Sequence, residues 1–157
     1  MSEVPLAEAF MTRKVVTLRP EMDIYEGILK MMKYDVSGSP VVEEDGTLVG
    51  MLSEKDCMSI FASAAYSNLP GGTVAEYMVM HPETIGLKSD LFTVSGILMH
   101  RPYRRLPVVD GPLLKGVVSR TDVLRASVEL WKHPDGRNWT DSKYLTPELK
   151  ALLKQKG

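Results

Sequence analysis

Two aspartates in this chain stand in the same setting. Asp56 closes the run Gly50-Met51-Leu52-Ser53-Glu54-Lys55-Asp56, and Asp122 closes Gly116-Val117-Val118-Ser119-Arg120-Thr121-Asp122. A carboxylate accepts hydrogen bonds through two oxygens, and arginines beside it add charge-assisted contacts to an anion. Arg120 follows the Ser of the second run and Arg104-Arg105 precede its Pro-Val-Val, whereas the matching positions in the first half are Glu54, Ser37 and Gly38. A small anion beside Asp56 would be repelled unless Lys55 compensates. This is chemistry for holding a small molecule rather than for breaking one. No Ser/His/Asp, Cys/His or paired-carboxylate grouping suggests catalysis. His81, His100 and His133 are scattered, without acidic or cysteine partners at metal-ligand spacing, so no metal site is expected. A plainer reading stands beside the binding one: Ser-x-x-Asp is also an ordinary helix start, with Ser as the cap and the acid favoured by the helix dipole.

The recurrence extends well beyond the aspartates. Pro-Val-Val precedes both runs, at Pro40 to Val42 and at Pro107 to Val109. From Met11/Met78 to Val42/Val109 the halves align without a gap at an offset of 67, and one deletion then makes it 66. Identical matched pairs include Thr17/Thr84 and Asp23/Asp90. The chain is two copies of one unit, and its function is expected where the copies meet.

Bulk properties narrow the classes. The chain has 157 residues, enough for one domain or two small ones packed together, with 44% hydrophobic and 25% charged residues as in a globular protein. No run reaches the ~20 apolar residues that span a bilayer, and no signal peptide is recognised at the start. The single cysteine, Cys57, cannot form an internal disulfide, so a cytoplasmic protein is expected. The first copy, Met11 to Met58, carries six Lys/Arg against nine Asp/Glu; the second, Met78 to Leu124, carries six against four. That bias is too weak for a nucleic-acid binder and suits one local pocket for a small anion.

The elements that must position these groups follow from periodicity. Val15 to Leu18 reads as a short strand closed by Arg19-Pro20. Asp23 caps a helix whose stripe is Ile24, Ile28, Met31 and Met32. Pro40 to Val42 and Leu48 to Leu52 form a hairpin about Glu43-Glu44-Asp45-Gly46, and Ser53 starts a second helix with Cys57, Met58, Ile60 and Phe61. The second copy repeats this: Thr84-Ile85, a helix after Asp90 with Leu91, Val94 and Leu98 inward, a hairpin about Asp110-Gly111-Pro112, and a helix from Ser119. The expected class is α/β (α+β), two β-α-β-β-α repeats plus a C-terminal helical tail. The boundaries are 5–65 for the first repeat, 66–73 for the linker, 74–126 for the second repeat and 127–157 for the extension. Trp131, Trp139, Tyr144 and the capped Thr146-Pro147-Glu148 predict a tail that is ordered and docks.

These features resemble a family. Met11-Thr12, the Pro-Val-Val strand and the tandem Gly-x-x-Ser-x-x-Asp signature are similar to those of CBS domains, named after cystathionine β-synthase, over roughly residues 5 to 126. The resemblance implies a stand-alone pair forming a pseudo-twofold disc, with two clefts that take adenosine-containing ligands such as AMP, ADP or ATP. It implies that the signature Asp binds the ribose hydroxyls with the Ser beside it, that adenine rests on the first strand of the other copy, and that phosphate meets basic residues. In this chain the implied ligand residues are Lys14, Val15, Val16, Ser37, Gly38, Arg104, Arg105, Ser119, Arg120 and Asp122. A second cleft would use Ser53, Asp56, Pro82, Glu83 and Thr84. Val79 stands where the family's motif has Thr, which removes a hydroxyl from that cleft. The expectation is a non-catalytic sensor with no cofactor beyond a regulatory adenine nucleotide. It would be a homodimer through the helix faces near Met31-Met32 and Leu98-Met99, acting on itself or on another protein, without membrane or nucleic acid. The rival is an assembly module whose clefts are vestigial.

Overall fold

The computed structural model describes residues 4–63 and 68–132, with Pro147 and Ala151; the tail expected to dock lies outside the described residues beyond Lys132. The first repeat contains α1 (Ala7–Phe10), α2 (Ile24–Lys33), β1 (Gly38–Val42), β2 (Leu48–Ser53) and α3 (Glu54–Ser63). The second contains α4 (Val74–Tyr77), β3 (Val79–Met80), β4 (Ile85–Gly86), α5 (Leu91–His100), β5 (Arg105–Asp110), β6 (Leu113–Ser119) and α6 (Arg120–Lys132). This is the mixed α and β architecture that the periodicity predicts.

Local chemistry sets the boundaries. The Asp23 carboxylate accepts from the Tyr25 and Glu26 N–H groups at 3.0 and 3.3 Å, and Asp90 accepts from Thr93 N–H at 2.9 Å. Each satisfies amides that the first turn of a helix leaves without partners. Gly46 and Gly111 take left-handed φ values of 92° and 57° at the hairpin turns, where a side chain would be strained. Their strands pair antiparallel, β1 with β2 and β5 with β6.

The expected strand over Val15 to Leu18 is reduced to one residue. Only Leu18 pairs, parallel to Val41, donating its N–H to the Pro40 carbonyl and accepting from Val42 N–H, both at 2.9 Å. The residues before it are drawn away into a cleft between the repeats. In the second repeat the matching strand is β4, parallel to β5.

Each repeat is completed by the start of the other. β3 belongs to the second repeat by sequence but pairs with β2 of the first, Met51 opposite Val79. Reciprocally, Thr12 exchanges two backbone hydrogen bonds with Val117 of β6, at 2.8 and 3.0 Å. The short helices follow the exchange. Ala7 and Met11 lie in the core with Leu91, Val94, Leu106 and Val118, while Val74 lies with Leu18, Ile24, Leu52 and Cys57. Two further bonds tie the hairpins together, Leu48 N–H to the Pro112 carbonyl at 2.9 Å and Leu114 N–H to that of Gly46 at 3.1 Å.

The glycine that opens each Gly-x-x-Ser-x-x-Asp run permits this exchange. A β-carbon at Gly116 would lie 2.7 Å from the Thr12 carbonyl oxygen and 2.9 Å from Met11 Sδ. One at Gly50 would lie 2.5 Å from Met78 Sδ. Met31 and Leu98 prove to be core residues, whereas Met32 and Met99 are 71% and 77% exposed.

Candidate functional site

A cleft opens where the two repeats face each other. Its volume is about 200 Å³, and it is lined by Lys14, Val15 and Val16 from the segment before Leu18, and by Val36, Gly38 and Pro40 from the approach to β1 and its first residues. The other wall is Arg105, Val117, Ser119 and Asp122 of the second repeat, and Thr12 stands between them. Strand geometry explains the pattern on β1: Gly38 and Pro40 face the cleft, and Ser39 between them faces the core.

Asp122 is the most constrained polar group here. The residue is 5% exposed. Its Oδ2 accepts from Ser119 N–H at 2.9 Å, and its own N–H donates to Ser119 Oγ at 3.2 Å, closing the first turn of α6. The Thr12 hydroxyl lies 3.2 Å from both carboxylate oxygens, reaching across from the other repeat. The Arg125 guanidinium donates to Oδ1 at 3.1 Å. Thus the plain helix-start reading and a cross-repeat role are both true of Asp122.

Asp56 differs. Its Oδ2 accepts from both the N–H and the hydroxyl of Ser53 at 2.8 Å, and its own N–H donates to Ser53 Oγ at 3.1 Å. Val79, at the position matching Thr12, has no hydroxyl to offer. Among the described residues the Asp56 carboxylate accepts from Ser53, within its own helix start.

Of the residues expected at the first cleft, Lys14, Val15, Val16, Gly38, Arg105, Ser119 and Asp122 line it together. Arg104 and Arg120 are exposed and Ser37 is half-buried, and none of the three lines the cleft. Sequence reasoning had flagged Thr12 only as a motif residue and did not place Val36, Pro40 or Val117 in the site. Alternation along β1 and the pairing of Thr12 with Val117 are the signals that find them. Of the residues expected at a second cleft, Pro82 is half-buried, Thr84 is exposed and Glu83 accepts from Arg101 Nε at 3.1 Å. Gly38 and Arg105 are matched positions of the two repeats and both line the first cleft.

The chemistry of the first cleft is a buried acceptor at the floor, apolar walls and two cations, Lys14 and Arg105. Among the described residues no group of three or more His, Cys, Asp or Glu side chains is arranged to hold a metal ion. No helix among them is long and apolar enough to cross a membrane.

Comparison with known proteins matches this fold. The CBS domain profile matches residues 6–63 and again residues 74–129. The chain is 26% identical to the CBS domain-containing chloroplast protein CBSX1 of Arabidopsis thaliana, over 80% of this chain and 65% of that protein. It thus spans less than two thirds of that relative's length. It is 32% identical to the CBS domain-containing protein YhcV of Bacillus subtilis (strain 168), over 72% of this chain and 79% of that one. The crystal structure of CBSX2 in complex with AMP superimposes with a TM-score of 0.70 at 25% identity, covering 80% of this chain and 97% of that one.

Proposed function

Because this chain belongs to the CBS domain family, as two tandem copies, we propose that it is a regulatory sensor that binds an adenine nucleotide of the AMP, ADP or ATP kind between its repeats. The observation that carries the reading is the buried Asp122 carboxylate on the cleft floor, with Lys14 and Arg105 on its walls. One carboxylate accepts both protons of a ribose cis-diol, Val15 and Val16 offer an apolar seat for adenine, and the two cations meet phosphate. CBSX2, which has the same fold, was solved with AMP bound. The second cleft, at Ser53, Asp56, Pro82, Glu83 and Thr84, binds such a ligand more weakly. Its aspartate is bonded within its own helix start, and Glu83 stands where the first cleft has Val16.

The protein acts through assembly rather than catalysis. Met32 and Met58 in the first repeat and Met99 and Leu124 in the second are exposed at matched positions on the helices. A second copy of this chain, approaching along the molecular pseudo-twofold, would cover both sets at once. A further protein partner would read the occupancy of the cleft. The lone cysteine, buried, suits a reducing compartment such as the cytoplasm.

Calorimetric titration of AMP onto Asp122→Ala, Asp122→Asn and Asp56→Ala tests the reading. Losing hydrogen bonds to a charged group costs ~1.5–3 kcal/mol, about tenfold or more in affinity. Both Asp122 variants are expected to lose that much and Asp56→Ala little. Equal losses would mean that both clefts bind alike, and a larger loss at Asp56 that the ligand sits in the other cleft. A panel of adenine nucleotides that leaves the melting temperature of the intact protein unmoved would favour the pure assembly module. A bound ligand at 100 times its Kd adds ~2.7 kcal/mol.

A further inference from the structure

The Asp122 carboxylate is nearly full before any ligand arrives. A carboxylate has about four acceptor positions, two on each oxygen. Three donors of this chain already address them: Ser119 N–H at 2.9 Å, the Arg125 guanidinium at 3.1 Å, and the Thr12 hydroxyl with its single proton, 3.2 Å from either oxygen. A ribose that donates both hydroxyl protons needs two positions, so one present donor must leave. Ser119 N–H is backbone at the junction of β6 and α6. The Thr12 backbone is held by two bonds to Val117, and its hydroxyl oxygen stays 3.2 Å from both carboxylate oxygens; turning its proton away would leave lone pairs facing the carboxylate. Arg125 alone of the three reaches in on a long side chain, 67% exposed, whose guanidinium water can solvate once it lets go.

We propose that Arg125 is a latch on the binding aspartate, displaced by the ribose, so that it sets the affinity of the first cleft and reports its occupancy. This rests on the nucleotide reading above and adds its regulation. The position matching Arg125 in the first repeat is Ser59, an uncharged side chain that donates to the Asp56 carbonyl at 2.6 Å. The device therefore belongs to one cleft. Its output is local: Arg125 is followed one turn later by Val128 and preceded by Leu124, both exposed on α6. Occupancy frees a cation beside that apolar surface.

Adenosine is the probe, because it carries the ribose and base without charge. A cation removed from the neighbourhood then does not weaken binding by losing attraction for phosphate. Titrating it onto the full chain and onto Arg125→Ala, the variant is expected to bind about two- to fivefold more tightly, the weight of one partly exposed ion pair. Raising salt from about 50 to 500 mM screens that pair, so adenosine should bind the unmodified chain more tightly and the variant unchanged. Binding by the variant alone would be the strongest support. Equal or weaker binding by Arg125→Ala, with the unmodified chain indifferent to salt, overturns the latch and leaves the nucleotide site standing. If neither protein takes up adenosine or AMP, the nucleotide reading fails and the latch with it.

Discussion

At the scale of single residues, two buried groups of the first repeat test how the core is built. Ser39 is fully buried and its hydroxyl has no hydrogen-bond partner among the described residues; its match in the second repeat, Leu106, is fully buried too. A hydroxyl left unpaired in an apolar interior is destabilising, so Ser39→Ala should raise the urea midpoint, by about 1 kcal/mol of stability. A fall of that size would show that the hydroxyl has a partner in solution. Cys57, 7% exposed, has its thiol pushed up in pKa by burial first and then by Asp56 and Glu54. The native thiol thus keeps its proton where the unfolded thiol, with a pKa near ~8.5, loses it. Below that pH the two states bind the same proton; above it the native state binds more, so stability declines as pH rises. Cys57→Ala should remove this part of the alkaline decline, read as the difference between the two proteins' stability curves above about pH 8.5. Identical curves would place the thiol in solvent. The burial of Ser39 does not follow from a motif, because it is decided by neighbours distant in the chain, whereas that of Cys57 is read from its place on the helix after the signature. Of the seven cleft residues that were expected, Ser119 and Asp122 were legible from the repeated motif, and the other five from the family resemblance and their place beside it.

Among the elements, the helices after Asp23 and Asp90 and both hairpins were legible because capping and periodicity are local. The exchange of strands was not. Thr12 and Val117 are far apart in sequence, and α1 and α4 have only four residues each, too few for a periodic stripe. A capping box at Thr73, with Glu76 three residues on, is the one local sign of α4. The glycines give the exchange a test. At Gly116 the atom nearest an added β-carbon is the Thr12 backbone oxygen, whereas at Gly50 it is the flexible end of Met78. Gly116→Ala should therefore be the more damaging of the two, costing about 1–3 kcal/mol by overpacking. It should also weaken AMP binding, since Thr12 lines the cleft and moving it distorts the wall against which the ligand packs. Chemical denaturation of both variants, followed by titration, decides it. Equal small losses would show that the exchanged strand yields easily.

At the scale of the molecule, exchange makes the two repeats one body, and the cleft exists only while that body is intact. A stimulus at Asp122 can leave such a body by its surface, and the helices are where apolar surface remains. Met32, Met58, Met99 and Leu124 are between 64% and 77% exposed, with Leu29 and Phe92 beside them. Apolar side chains scattered singly need no explanation, but a set repeated by the pseudo-twofold does. Stable pairs of proteins bury roughly 800 Å² on each partner, an area that two helical layers engaged together can supply. The chain is therefore expected to run as a dimer at micromolar concentration in light scattering. Met32→Glu with Met99→Glu should convert it to a monomer of unchanged circular dichroism, because neither side chain supports the core. Charging one alone should weaken the dimer without abolishing it, since the other face still engages. A monomer mass for the unmodified chain would refute the assembly outright. A dimer that survives both charges would move the contact to another surface and disconnect it from the face that carries Arg125.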